Sequence, residues 1–234
     1  MKNSPSELQV ALETSATTTA LVYTSSQSPT ATLILGHGAG AGQRSAFMVN
    51  MARALAALGI DAVTFNFPYT EHGRRIPDRA PILESCYRSI IDAVRSHVPS
   101  ARARLFIGGK SMGGRIATQV AAADPQLPLA GLVLLGYPLH PPGRPDQRRD
   151  KHLPSIRRPM LFVQGSRDAF GSPAELSPIL ATLDPEPMLH VVQGGDHSFK
   201  VSSSQPKQAA VMTDVEHTIV DWINTSAPSP RPRE

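Results

Sequence analysis

The sequence predicts an α/β fold in three layers, with a mainly parallel sheet, helices on both faces and no lid domain. Two observations carry that expectation. Short apolar runs alternate with longer segments of helical periodicity from Ala31 to Ile223, the order expected of crossover-connected parallel strands. The length of 234 residues, 41% of them hydrophobic, suffices for one ordinary core and falls short of two large ones. No internal repeat or linker interrupts the pattern. Residues 1–225 therefore read as one domain, and 226–234 (SAPSPRPRE) as a disordered Pro-rich tail.

The elements follow from local patterning. Leu8–Leu12 and Ala20–Thr24 flank a Ser/Thr-rich turn and suit an opening antiparallel hairpin. Ala31–Leu35 (ATLIL) is a continuous apolar run, as in a strand buried on both faces, and it ends in Gly36-His37-Gly38-Ala39-Gly40-Ala41-Gly42. A helical pattern, Ala46–Leu58, closes at Gly59. Ile60–Phe65 is the next buried strand, and Asn66–Arg79 a polar loop. Pro81–His97 is helical, with Ile82, Leu83, Cys86, Ile90 and Val94 at helix spacing. A strand at Leu105–Ile107, a Gly-rich turn and a helix at Ile116–Ala123 come next. Leu132–Leu135 is another strand, followed by a Pro/Arg-rich loop, Pro138–Pro159. The pattern ends with strand Met160–Val163, helix Glu175–Leu183, strand Met188–Val192 and helix Ala209–Ile223.

Composition narrows the function classes. The lone cysteine, Cys86, excludes an internal disulfide, fits a reducing compartment and falls on a helical core face. No apolar run is long enough for a membrane helix, and Met1–Pro5 has no signal-peptide core. A soluble, cytoplasmic protein without a membrane partner is expected. The net charge of +4 is modest, and the basic residues within Arg144–Arg158 suit a solvated loop, so no nucleic-acid partner is expected. No His, Asp or Glu residues have zinc spacing, and neither a metal nor another cofactor is expected.

The centre of the chain is Arg104–Arg115, RLFIGGKSMGGR, which holds G-x-S-x-G as Gly109-Lys110-Ser111-Met112-Gly113. Between a strand and a helix, this pattern sets a serine on a strained turn with its hydroxyl above the sheet edge. Side chains two residues before and after the serine would collide with the turning backbone, hence the glycines. A serine becomes a nucleophile only when a base takes its proton, and a histidine base needs a carboxylate to fix its tautomer. Two later strands supply both in the required order. Asp168 follows Met160–Val163, and His197 follows Met188–Val192. Asp196 competes for the acid role, but as the neighbour of His197 it points away and is assigned to the turn. Glu175 falls inside a helix. The other histidines (His72, His97, His140, His152, His190, His217) show no partner pattern and read as surface or structural.

The loop Gly36–Gly42 lets the backbone pass close to a substrate, so the amides of Ala39 and Met112 are the expected oxyanion donors. It lacks the spacing of a phosphate-binding loop. His37 is expected to order this loop. Lys110 occupies the position before the serine, where side chains pack or hydrogen-bond beside the site. Arg115 is assigned to structure, pairing with a core carboxylate, with an anionic substrate as the other reading. Phe67, Tyr69, Arg74 and Arg75 are candidates for lining an acyl pocket.

From Ala31 to Ile223 the chain resembles the α/β-hydrolases. The matching pieces are Gly36–Gly40, the Gly109–Gly113 turn, Gly165-Ser166-Arg167-Asp168 and Gly195-Asp196-His197-Ser198-Phe199. In detail it is similar to the small cap-less proteins grouped near dienelactone hydrolases. The pairing of HGAG with GKSMGGR resembles a bacterial branch of that group, related to a eukaryotic set of hydrolase-like proteins. The resemblance implies the α/β-hydrolase fold, with Ser111 as nucleophile, His197 as base and Asp168 as orienting acid. Dienelactone hydrolases proper carry cysteine where this chain has Ser111, which favours an ordinary serine esterase or thioesterase. Tyr137–Pro159 is too short for a helical lid, so an open pocket and a small or surface-presented substrate are expected. The expectation is a cofactor-free serine hydrolase acting on a small-molecule carboxylic ester or thioester. A peptidase or a C–C hydrolase would use the same groups. The rival class is a catalytically silent interaction or scaffold protein on the same fold.

Overall fold

The structure, a computed structural model, describes residues 4–13 and 16–226. Among these, one sheet is built from β1 (Ser6–Ala11), β2 (Thr17–Tyr23), β3 (Ala31–Gly36), β4 (Ile60–Phe65), β5 (Leu105–Lys110), β6 (Gly131–Leu135), β7 (Met160–Gly165) and β8 (Met188–Val192). Their order is β1-β2-β4-β3-β5-β6-β7-β8, with β2 antiparallel to both neighbours and all later pairs parallel. The opening hairpin and the mainly parallel sheet are as expected. The tail expected over 226–234 lies outside the described residues, Ser226 excepted.

The helices are α1 (Ala46–Ala57), α2 (Pro68–Glu71), α3 (Ala80–His97), α4 (Pro99–Ala103), α5 (Met112–Ala123), α6 (Pro173–Leu180) and α7 (Gln205–Thr225). Alternation along the central strands produces the three layers. Ile34, Ile107, Leu132 and Leu134 join the core under α3, α5 and α6. Leu33, Leu35, Phe106, Val133 and Leu135 join the core under α1 and α7. Burial on both faces explains why these strands read as unbroken apolar runs. Each such side chain, fully buried, contributes roughly 1.5–3 kcal/mol.

Several boundaries moved for physical reasons. α3 buries Leu83, Cys86, Tyr87, Ile90, Ile91 and Val94, whereas Ile82 is 43% exposed. The apolar stripe therefore runs one position away from Ile82. α5 begins at Met112 rather than Ile116, because Gly113 and Gly114 hide the first helical turn from a periodicity reading. α2 and α4, each opening on a proline, sit in stretches too short to show periodicity. Between Tyr137 and Pro159 the only helical piece is the single turn Leu153–Ser155, so among the described residues no lid covers the sheet.

Two polar arrangements fix the frame around the strand ends. Asp61, buried in β4, accepts the Ser25 N–H (2.8 Å) and the Ser100 hydroxyl (2.5 Å), and that hydroxyl lies 2.6 Å from Thr32 Oγ1. Tyr87 of α3 reaches between β3 and β5. Its Oη accepts the Gly108 N–H (3.0 Å) and faces the carbonyls of Gly108 (2.7 Å) and Ile34 (3.0 Å), one of which takes its proton.

The opposite edge of the sheet, where the parallel strands begin, gathers helix C-termini. Arginines meet main-chain carbonyls there, some of them at the helix ends. Arg102 donates to the carbonyl of Arg95 (3.0 Å) and to that of Ser96 in α3. Arg104 donates to the carbonyls of Ile223 and Ser226 at the end of α7. Arg158 donates to the Pro125 and Leu127 carbonyls, both 3.2 Å away. Part of the basic character of Arg144–Arg158 is thus structural rather than a solvated loop.

Candidate active site

Three strands end where the sequence places its chemistry. β5 delivers Ser111, whose N–H donates to the Leu135 carbonyl (2.9 Å) while its own backbone turns to φ 52°, ψ −114°. That conformation costs a non-glycine residue on the order of 1–3 kcal/mol and holds the hydroxyl clear of the sheet. The flanking glycines are steric necessities. A Cβ on Gly109 would lie 2.2 Å, and one on Gly113 2.1 Å, from the same Gly36 carbonyl oxygen. Gly113→Ala is expected to cost at least about 3 kcal/mol, because the obstacle is backbone that cannot rotate away. A urea midpoint measures it, with Gly40→Ala, whose Cβ would meet nothing within 4 Å, as the near-neutral control.

The loop after β8 brings His197 to the serine: Nε2 lies 2.9 Å from Ser111 Oγ. Nδ1 faces Asp168, 2.8 Å from Oδ2 and 3.0 Å from Oδ1. A carboxylate accepts only, so the ring proton sits on Nδ1, and Nε2 offers its lone pair to the serine hydroxyl. Asp168 is buried in the loop after β7 and is fully committed. Its Oδ1 also accepts the Phe170 N–H (2.8 Å), and its Oδ2 also accepts Gln164 Nε2 (2.9 Å). Gln164 is itself locked, accepting the Tyr137 N–H (2.8 Å) and donating to the Gly171 carbonyl (2.7 Å). The Phe170 ring stacks on the imidazole at 4.1 Å between centroids.

The glycine loop after β3 runs beside the serine. A Cβ on Gly38 would stand 3.7 Å from Ser111 Cβ. The Ala39 carbonyl accepts the Tyr69 hydroxyl (2.8 Å), and the turn closes with Ala41 N–H donating to Gly38 O (3.1 Å). Among the described residues, no hydrogen bond occupies the Ala39 N–H. Met112 opens α5, and its N–H belongs to the first turn, which has no carbonyl partner within the helix.

His37 orders this loop. Its Nε2 accepts the Phe67 N–H (3.1 Å), so Nδ1–H donates to the Gly38 carbonyl (2.8 Å). Burial holds the ring below its ordinary pKa of 6.5, outweighing the Gly38 bond. Below pH 6.5 the unfolded chain therefore binds the proton that the folded ring refuses, and stability falls with falling pH. His37→Gln, whose side-chain oxygen still accepts the Phe67 amide, is expected to lose that part of the slope. Urea unfolding of both proteins between pH 7 and pH 5 measures it.

Other expectations need correcting. Phe67 (0% exposed) and Tyr69 (1%) sit in the aromatic cluster behind the glycine loop and support it rather than lining an open pocket. Arg74 pairs with Asp78 at 2.7 Å. Among the described residues Arg115 pairs with no carboxylate and donates instead to Gln119 Oε1 (3.2 Å). Three of the histidines that showed no partner pattern meet a side chain: His140 lies 3.0 Å from Glu175, His190 3.1 Å from Asp214, and His152 2.8 Å from Thr118 Oγ1. Asp196 turns away as expected, accepting the amides of Ser198 (2.8 Å) and Lys200 (3.0 Å). Unforeseen were Gln164 and Phe170, and the reach of Lys110, whose Nζ donates to the His197 carbonyl (2.6 Å).

A family model described as an alpha/beta hydrolase domain matches residues 29–224 of this chain. The chain belongs to that family. Solved structures similar to this α/β-hydrolase include a serine hydrolase without a lid from Xanthomonas campestris, with 21% identity, TM-score 0.72 and coverage of 97% and 99% of the two chains. A dienelactone hydrolase from Anabaena variabilis gives 20% identity, TM-score 0.74 and coverage of 96% and 99%. An esterase from Pyrococcus furiosus gives 15%, 0.73, and 94% and 91%. At such identities the likeness of this α/β-hydrolase to them is one of fold.

Proposed function

We propose that this α/β-hydrolase is a serine hydrolase that cleaves a carboxylic ester or thioester through an acyl-enzyme on Ser111. The observation that carries this is the unbroken line from Ser111 Oγ to His197 Nε2 (2.9 Å) and from Nδ1 to Asp168 Oδ2 (2.8 Å). In this reading His197 takes the hydroxyl proton as Ser111 attacks the carbonyl carbon, then gives it to the leaving alkoxide or thiolate. The amides of Ala39 and Met112 hold the oxyanion, helped by the positive end of α5. A water deprotonated by His197 then releases the acid. No cofactor takes part. With no lid over the sheet edge, the fitting substrates are small or surface-presented.

Labelling with a fluorophosphonate tests the reading. The wild-type protein should react stoichiometrically and Ser111→Ala not at all. An unlabelled wild type would overturn the proposal in favour of a silent scaffold, and undiminished labelling of Ser111→Ala would remove Ser111 from its role.

A further inference from the structure

Lys110 is a half-buried cation that the proposed chemistry leaves unused. Its Nζ donates to the main-chain carbonyl of His197 at 2.6 Å and lies 5.4 Å from the centroid of the Phe199 ring. That carbonyl is its only hydrogen-bond partner among the described residues. The charges facing it are Asp168 on the loop after β7 and Asp196 on the loop after β8, neither in an ion pair with it, and the titratable ring of His197 stands beside them. Space for the ammonium is kept by Gly136 at φ 62°, whose Cβ would sit 2.8 Å from Lys110 Nζ and 3.4 Å from His197 Nδ1. Adjacent residues of one turn thus grip the histidine twice, Ser111 at its ring and Lys110 at its backbone.

We propose that Lys110 is a positioning residue for the base, its ammonium tethering the His197 peptide so that the imidazole stays within reach of the serine. The inference rests on the serine-hydrolase reading. His197 comes from an irregular loop opened by Gly194 and Gly195 and closed by Phe199 at φ 61°. Asp196 braces that loop through the Ser198 and Lys200 amides, but the His197 carbonyl takes its bond from Lys110 alone among the described residues. The bond between ammonium and carbonyl is charge-assisted and directional, and it fixes the peptide from which the ring projects.

The placement also costs stability, which argues that it is there for function. Burial pushes the ammonium down to about 8, outweighing the pull of Asp168 and Asp196. Between about 8 and the ordinary 10.5 the unfolded chain binds the proton that the folded protein has released, so stability rises with pH there. Below about 8 the full cost of the buried charge is present. A methionine of similar length would fill the same space without it.

The test reads the second-order rate of fluorophosphonate labelling and the melting temperature for wild type, Lys110→Met and Lys110→Arg, on both sides of pH 8. Lys110→Met is expected to label about 10–100-fold more slowly, as a displaced catalytic group does, without melting earlier than wild type below pH 8. Lys110→Arg should recover most of the rate. The wild-type rate should fall a few-fold as pH passes about 8, where the tether loses its charge, and neither variant should show that fall. A Lys110→Met protein that labels at the wild-type rate, or that keeps the alkaline fall, overturns the inference alone. A slow variant that also melts early assigns Lys110 to packing and overturns it too. A wild type that does not label overturns the serine-hydrolase reading, and the inference falls with it. Should Lys110→Arg fail to fold, wild type against Lys110→Met still decides.

Discussion

Ser111→Ala and His197→Ala are each expected to lower kcat by about 10⁶-fold, with the double variant no slower than either. The reason is that in the proposed mechanism the two groups act as one device. Without the imidazole the hydroxyl keeps its proton, and without the hydroxyl the imidazole has nothing to activate. On an activated ester such as p-nitrophenyl acetate, the loss reads as a return to the buffer rate. A steady-state assay of the two single variants and the double variant measures it. Additive losses would show that Ser111 and His197 act independently, contrary to the 2.9 Å bond between them.

Asp168→Asn is expected to lower kcat by about 10⁴-fold while leaving the chain folded. Each carboxylate oxygen accepts two bonds, and all the donors are fixed. Oδ1 faces the Phe170 amide, and Oδ2 faces a Gln164 side chain that cannot flip without setting its NH₂ against the Tyr137 N–H. An asparagine must therefore point its NH₂ at one donor. With its oxygen kept on Phe170, the NH₂ donates to His197 Nδ1, moves the ring proton to Nε2 and removes the base from the serine. Leaving a buried donor unpaired costs a further 1–3 kcal/mol or so. Labelling rates and a urea midpoint on the same preparation separate the two effects.

The strands, and the three loops that bring Ser111, Asp168 and His197 together, were legible because burial on both faces writes a strand as a plain apolar run. The glycines of the turn after β5 were legible because a carbonyl at 2.1–2.2 Å excludes any side chain, so the motif is steric before it is chemical. Asp61 was not. In the sequence it is one polar residue in a buried strand, and its partners Ser25 and Ser100 lie 36 and 39 positions away. Gln164 and Phe170 escaped notice for the opposite reason, being close in sequence to Asp168 but unmarked as to which side chain would turn toward it. Tyr69 looked like a pocket residue because the loop over the sheet edge gives no sign of which face turns inward. Lys110 was marked by its place in the motif, yet its partner, a main-chain carbonyl 87 residues away, has no residue-type signature at all.

The phenol of Tyr87, hydrogen-bonded to both β3 and β5, ties the serine turn and the glycine loop to a single helix. The turn carrying the serine leaves β5 two residues beyond Gly108, and the glycine loop leaves β3 just beyond Gly36. One oxygen atom, supplied from α3, thus meets the backbone of two strands that are already paired through Gly36 and Gly109. The seating of a helix remote from Ser111 is in this way coupled to the ladder from which both loops depart. Changes under α3 that nudge this ring would strain that ladder at its loop-bearing end.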